Sequence, residues 1–303
     1  MKPIILGGTS NPSLATKIAK ELNTKLGSLE IERFSDGEIY VNIKEKLKGK
    51  EVFIIQSCSN PANEHLMETL LTIDAAKRSK AKKVTVVFPF YPYRRQERQV
   101  KPGEAISAEL VAKLVEAAGA DAVIAANLHS TTIEPFFKIP ITHVRLWDIF
   151  INYYKKKIGS THNFVVVAPD AGSMRRSKTI AQGLGIPLVL VEKSRPKHDV
   201  VEISNIVGEV ENKNIIMIDD EINTADTLLS VAEALQNLGA KDVFFAAVHA
   251  VLSGPAIKRI KKPYLKEIAV TDTVRLHKEK QLAKIKVLTA AKEIATAIKK
   301  ETL

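Results

Sequence analysis

Cysteine is almost absent from this 303-residue chain. The single Cys58 excludes an intrachain disulfide and any cysteine-rich metal site, and sets a reducing compartment, the cytoplasm, as the expectation. Long apolar runs are missing too. None approaches the ~20 consecutive apolar residues that a membrane-spanning helix needs. The opening MKPIILGGTSNP offers neither an apolar stretch of signal-peptide length nor a small-residue cleavage site. Acidic residues are in deficit, 34 against 45 Lys and Arg, for a formal net charge of +11. Such a surplus draws anions, whether nucleic acid or small phosphorylated metabolites. Much of it lies in the lysine-rich stretches 44–50, 77–83, 258–262 and 278–286, where aromatic residues do not interleave. Solvated surface is therefore favoured over a nucleic-acid groove.

What is present is a near-continuous alternation of strand-like and helix-like segments. Apolar runs at 4–6, 52–56, 84–88, 122–126, 164–168, 188–191, 215–218, 243–248 and 268–270 predict strands. Helical periodicity marks 13–22, 64–80, 107–118, 175–184, 227–238 and 289–299. Alternation of this kind specifies an α/β fold with mainly parallel sheets, whose ligand sites lie at the carboxyl ends of strands. The length and strand count allow two domains, 1–145 and 146–303, with the last helix free to pack back on the first.

The stretch NIIMIDDEINTADTLL, 214–229, carries the sharpest chemistry. An apolar run, Ile215 to Ile218, ends in Asp219 and Asp220. A small-residue loop follows, and then a helix pattern with Leu228, Val231, Ala232, Leu235 and Leu238 on one face. Backbone N–H groups at a helix start hold phosphate, and carboxylates at a strand end accept from vicinal hydroxyls. A sugar-phosphate site is favoured over a plain surface turn with a helix cap.

Other segments add to it. In VVVAPDAGSMRRSK, Asp170 follows a strand and could bind Mg²⁺, with small residues that let a phosphate approach. In VEKSRPKHDVVE, residues 193–198 form a basic loop suited to a lid over polyphosphate, although an exposed basic loop is the plainer reading. The 88–107 loop gathers Arg94, Arg95, Gln96, Glu97 and Arg98, and long ordered loops are usually functional. Asp36-Gly37-Glu38 reads as a hairpin turn before an alternating strand. His129, alone, reads more readily as structural than as a ligand.

Taken in order, SNPSLATKIAKEL, FSDGEIYVNI, VFIIQSCSNPANEHLMETLLTIDAAKR, the 95–98 cluster, LHS, VAPDAGS, the 193–195 loop, the 219–227 loop and HAVLSGPAIKRI resemble ribose-phosphate pyrophosphokinases over almost the whole chain. The resemblance implies two similar domains of type I phosphoribosyltransferase-like fold, each a mainly parallel sheet flanked by helices. They would assemble into homo-oligomers, commonly hexamers. It implies transfer of the diphosphoryl group of ATP to the C1 hydroxyl of ribose 5-phosphate, with Mg²⁺. By the same resemblance Phe34, Asp36, Gly37 and Glu38, together with Arg95, Gln96 and Arg98, match ATP-binding segments, the first of them reaching across a subunit interface. His129 and Asp170 match metal positions. Lys193 and Arg195 match the catalytic loop. Asp219, Asp220, Asn223, Thr224, Ala225, Asp226 and Thr227, with Arg195, match the ribose-5-phosphate site.

Three positions depart from the family pattern. Asn127 stands where the family has Asp before Leu-His. Asn223 and Asp226 stand where the phosphate loop has Asp and Gly. A carboxylate ~5 Å from a phosphate costs about 3 kcal/mol at an effective dielectric of ~20. Glycine there also implies a positive φ at 226. Asp226 must point away, meet a basic residue, or weaken ribose-5-phosphate binding. These departures keep open a catalytically weak or inactive regulatory homologue, and a phosphoribosyltransferase that consumes the diphosphate is a third reading.

Overall fold

Apolar, β-branched runs become the strands of two sheets, and amphipathic segments cover them. The computed structural model describes residues 2–159, 163–197 and 200–302, and for 171, 192–197 and 200–205 the backbone alone. In chain order the first part contains β1 (Ile4–Gly7), α1 (Pro12–Glu21), β2 (Leu29–Arg33), β3 (Ile39–Ile43), β4 (Glu51–Ile55), α2 (Ala62–Arg78), β5 (Lys83–Phe88), α3 (Ser107–Ala117), β6 (Ala122–Ala126) and β7 (Ile141–Val144). The second contains α4 (Trp147–Ile158), β8 (Phe164–Ala168), α5 (Met174–Leu184), β9 (Leu188–Lys197), β10 (Val200–Val207), β11 (Asn214–Ile222), α6 (Asp226–Asn237), β12 (Val243–Ala250), α7 (Ala256–Arg259), β13 (Leu265–Thr271) and β14 (Ile285–Leu288), before the terminal α8 (Ala291–Glu301).

The chain separates into two compact units, one of Met1–Arg145, Thr273–Arg275 and Thr289–Leu303, the other of Leu146–Asp272 and Leu276–Leu288. The first is built on a parallel sheet of order β1-β4-β5-β6-β7, with β2 and β3 as a separate antiparallel hairpin. Its core includes Leu6, Ile54, Val86, Phe88 and Val123 under α2 and α3. Glu301 accepts from Lys83 Nζ at 3.0 Å and Thr142 Oγ1 at 2.9 Å, which fastens α8 to this sheet. The second unit carries a seven-stranded sheet, β10-β9-β8-β11-β12-β13-β14, parallel except for β10 against β9. Its core includes Val167, Ile215, Met217, Val231, Leu235 and Phe245. The expected α/β class with mainly parallel sheets is the architecture found.

Several boundaries differ from the sequence expectation. β11 does not stop at Ile218 but runs through both acids to Ile222, because Asp219 and Glu221 pair with Ala247 and His249 of β12. β9 continues through Lys193 and Arg195 to Lys197, held by antiparallel pairing to β10, so the expected 193–198 loop is strand as far as 197. Residue 198 of that expectation lies outside the described residues. Leu238 was expected on the apolar face of α6; it falls past the helix end and is 45% exposed, while Leu228, Val231, Ala232 and Leu235 are buried. α4 lies outside the helical periodicity read from the sequence, since WDIFINYYKKKI mixes aromatic and β-branched residues that carry little helix propensity. Its helicity comes from packing, with Phe150, Ile151, Tyr154 and Ile158 buried.

One ion pair joins a partly exposed lysine of α4 to a buried carboxylate of the second sheet. Lys157 Nζ meets Glu267 Oε2 at 2.5 Å, and the Glu267 side chain is only 6% exposed. Removing the cation strands a buried carboxylate. We expect Lys157→Met to destabilise folding by about 2–4 kcal/mol, measured by urea denaturation. A change below about 0.5 kcal/mol would show that Glu267 is solvated or protonated without cost.

Candidate active site

In the second unit the carboxyl ends of β8 and β11 bring polar residues together. After Ala168 the chain turns through Pro169 and Asp170 into α5. Asp170 Oδ1 accepts from Ser173 N–H at 2.8 Å, and Ser173 Oγ donates to Asp170 O at 2.7 Å, closing a tight turn. Arg176, in the first turn of α5, reaches β11. Its Nε donates to Ile218 O at 3.1 Å and its Nη2 to Asp219 Oδ1 at 2.8 Å, and Nη1 lies 3.9 Å from Asp220 Oδ1. Arg176 also lies over the Trp147 ring, 5.8 Å from its centroid.

Asp219 and Asp220 form an acidic pair with one guanidinium beside it. Burial pushes the Asp219 carboxyl up to about 7. The hydrogen bond and charge of Asp220 add to the rise, while Arg176 pulls the other way. The side chain keeps 31% of its surface exposed, so the pair faces solvent along one side. Asp219 therefore takes up a proton more readily than an ordinary aspartate. Fully ionised, the pair presents acceptor oxygens for adjacent hydroxyls.

The loop that follows leads into α6. Ala225 caps this helix with φ 65° and ψ 13°, and the first intrahelical bond runs from Leu229 N–H to Ala225 O at 3.1 Å. The N–H groups of a first helical turn lack intrahelical partners and favour an anion. The positive φ that the family glycine implied at 226 falls instead on Ala225, and Asp226 is the first helical residue. Its carboxylate meets Arg259, with Nη2 2.7 Å from Asp226 Oδ1, while Nη1 donates to Thr224 O at 3.0 Å. Asn223 O accepts from Ser253 N–H at 3.0 Å, and Thr227 is exposed. Lys193 and Arg195 have backbone positions in β9; their side chains lie outside the described residues.

In the first unit Phe34, Asp36, Gly37 and Glu38 form the β2–β3 turn. Phe34 N–H donates to Glu38 O at 2.9 Å, Asp36 Oδ1 accepts from Glu38 N–H at 3.1 Å, and Gly37 has φ 94°. Phe34 is 54% exposed, edge-on to Tyr40. Gly37 and Glu38 line a cavity of about 480 Å³ with Asn63, Met67 and Leu71 of α2. Asn63 Oδ1 also accepts from the hydroxyl of Tyr93, two residues before Arg95, which links α2 to the 88–107 loop. In that loop Arg94 is buried over the Phe90 ring at 3.8 Å. Gln96 Oε1 accepts from Ser107 Oγ at 2.6 Å, and Arg95, Gln96 and Arg98 are exposed.

His129 is exposed just beyond β6. The departure at Asn127 has a local reason. Its φ is 44°, a region Asn tolerates better than most residues, and it is only 3% exposed, where a neutral amide costs less than a carboxylate.

Sequence reasoning missed the residues that hold these segments. Leu128 N–H donates to His143 Nε2 at 3.1 Å, and His143 Nδ1 donates to Glu134 Oε1 at 2.7 Å, so a histidine in β7 fixes the turn before His129. Arg176 had a visible signal, a basic pair just after Asp170. Arg259 lies in the HAVLSGPAIKRI motif, but neither it nor His143 carried a sign of its partner, which each meets only through the fold.

Comparison with known proteins covers nearly the whole chain. Residues 3–119 match a family model described as the N-terminal domain of ribose phosphate pyrophosphokinase. Residues 173–302 match the phosphoribosyl synthetase-associated domain. A ribose-phosphate pyrophosphokinase of Bacillus caldolyticus is 46% identical over 289 residues, covering 95% of this chain and 91% of the relative. One of Fusobacterium nucleatum is 43% identical over 298 residues, covering 98% and 94%. The crystal structure of phosphoribosylpyrophosphate synthetase from Mycobacterium smegmatis is similar with a TM-score of 0.93 at 36% identity, covering 100% of this chain and 99% of that one.

The raised Asp219 carboxyl has a measurable consequence. Its folded value lies above the ~3.9 of an unfolded aspartate, so folding favours the protonated form. The stability this contributes is complete below about pH 4 and is lost as pH rises through about 7. Asp219→Asn stays neutral throughout. We expect the unfolding free energy of wild type minus that of the variant to fall by about 1 kcal/mol between about pH 5 and about pH 8, part of the effect being screened by water. Chemical denaturation at the two pH values reads it, and parallel curves would reject the assignment.

Proposed function

The chain belongs to the ribose-phosphate pyrophosphokinase family, and from that membership we propose that it transfers the diphosphoryl group of ATP to the C1 hydroxyl of ribose 5-phosphate. The products are 5-phosphoribosyl 1-diphosphate and AMP. Likeness to relatives of that name at 43–46% identity over 95–98% of the chain carries this reading. The non-catalytic alternative rested on Asn127, Asn223 and Asp226. Asn127 suits its buried left-handed position and Asp226 is ion-paired, so neither favours an inactive site.

The reaction is in-line displacement. The C1 oxygen bonds to the β-phosphorus as the bond from that phosphorus to the α-phosphate oxygen breaks, AMP departs with that oxygen, and the C1 hydroxyl proton passes to solvent. The 219–227 segment receives ribose 5-phosphate. Asp219 and Asp220 accept from the ribose hydroxyls and hold C1 toward phosphorus, while the α6 N-terminus takes the 5-phosphate. Arg176 keeps the acidic pair oriented and biased toward the ionised form that the hydroxyls need. Lys193 and Arg195 neutralise charge developing on the transferred phosphoryl oxygens.

Phe34, Asp36, Gly37, Glu38, Arg95, Gln96 and Arg98 bind ATP, the arginines at phosphate and Gln96 at the base edge. Mg²⁺ would be held by the oxygen donor of Asp170, the donor type it prefers, and His129 would offer a nitrogen donor. When bound, the ion lowers repulsion between phosphate oxygens and the incoming hydroxyl. Self-association into a homo-oligomer belongs to the proposal, supported by the exposed Phe34, Met67, Leu110 and Leu114. So does a cytoplasmic location; among the described residues no helix is long and apolar enough to cross a membrane.

Purified protein with Mg²⁺ and ATP should release AMP only when ribose 5-phosphate is added. AMP release independent of the sugar, or turnover only with a nucleobase, would overturn the assignment. Lys193→Ala should lower kcat at least ~100-fold, as loss of a positioned charge does. An unchanged kcat would remove Lys193 from the mechanism.

A further inference from the structure

Asp226 places a carboxylate at the first residue of α6, inside the loop read above as the 5-phosphate site. Left alone it would repel the ligand. Arg259, at the end of α7, meets it with both prongs of its guanidinium, Nη2 on Asp226 Oδ1 at 2.7 Å and Nη1 on Thr224 O at 3.0 Å. A planar fork can make two such bonds at once, which an ammonium cannot do with the same geometry. The clamp is built on the loop it holds. Leu252 N–H donates to Ile222 O at 2.9 Å and Ser253 N–H to Asn223 O at 3.0 Å, and Arg259 N–H donates to Pro255 O at 3.0 Å. Between the two gripped positions lies Ala225, whose φ of 65° is strained for a residue with a Cβ. Such a conformation persists only where its surroundings fix it.

We infer that Arg259 is a positioning and charge-masking residue of the ribose-5-phosphate loop, cancelling the Asp226 carboxylate so that a phosphate dianion can dock at the start of α6. This rests on the proposed assignment of the 219–227 loop. The pair is partly exposed, with side chains 34% and 57% accessible, so it adds little to stability. Its effect is on local charge. Arg259 acts through Asp226 and Thr224, not by contact with the reacting atoms.

The test uses the full-length enzyme and four variants: Arg259→Met, Asp226→Asn, the double variant and Arg259→Lys. KM for ribose 5-phosphate, KM for ATP and kcat are measured, together with calorimetric binding of ribose 5-phosphate without ATP. Arg259→Met should raise KM and Kd for ribose 5-phosphate ~10-fold or more, with kcat and KM for ATP within about 3-fold, since an unmasked like charge acts on the anion alone. Adding Asp226→Asn should restore both to within about 3-fold of wild type, a rescue that a merely structural arginine does not allow. Arg259→Lys keeps the charge but not the two-pronged grip, so KM and Kd for ribose 5-phosphate should rise by less than the ~10-fold that loss of the charge brings, with kcat within about 3-fold, which holds the test open if the Met variant does not fold.

An Arg259→Met enzyme with unchanged KM, a double variant as impaired as the single one, or a Lys variant that loses kcat and affinity together would each overturn the inference. Wild-type protein that binds ribose 5-phosphate but forms no AMP would instead count against the proposed reaction. In that case the calorimetric comparison still decides the role of Arg259.

Discussion

Parallel pairing of β8, β11 and β12 is the constraint on which the second unit depends. Val165, Val166 and Val167 lie opposite Ile215, Ile216 and Met217, and Ile215 to Ile218 opposite Val243 to Ala246. Parallel strands point the same way, so the segments that leave them gather at one edge. The 169–173 turn, the 223–225 loop and the 251–255 connection meet there because the ladder has fixed the register of all three strands. A slip of one residue would exchange the faces of Asp219 and Asp220. Arg176 would then reach the wrong carboxylate.

Charge at this edge is balanced locally rather than by the protein's overall surplus. The chain carries 11 more basic than acidic residues, yet the segment read as a sugar-phosphate site contains Asp219, Asp220 and Asp226 besides Glu221. Asp219 and Asp220 share Arg176, and Asp226 meets Arg259. Each guanidinium also holds a backbone carbonyl of the segment it neutralises, Ile218 O in one case and Thr224 O in the other. Position and charge are thus set by the same side chain. The arrangement leaves the Asp219 carboxyl raised, burial and Asp220 outweighing the pull of Arg176.

The first unit uses exposure differently. Its hairpin turn keeps Phe34, Asp36 and Glu38 at the surface through backbone bonds within the turn, and α2 supplies the wall of the adjoining cavity. Arg94, in the middle of the basic cluster, is buried against Phe90, whereas Arg95, Gln96 and Arg98 are exposed. Composition treats those arginines alike. Packing divides them into one that fixes the loop and others that face outward, and His143 does a similar service for the turn before His129.

The sequence by itself determined the α/β alternation, the apolar strand runs and the ordered set of motifs, because these are local patterns of hydrophobicity and residue type. It placed Asp170 just after the strand that became β8 for the same reason, but it ended the 215–218 strand before Asp219 and Asp220, which β11 contains. It could not set where β11 and β9 end, since acidic and basic residues extend a strand only when a neighbouring strand takes up their backbone groups. Nor could it show that Arg259 answers Asp226, that Arg176 answers Asp219, or that the strained backbone falls on Ala225. Those pairings join residues 33 and 43 positions apart, and a contact across that distance exists only once the sheet has brought the two segments together.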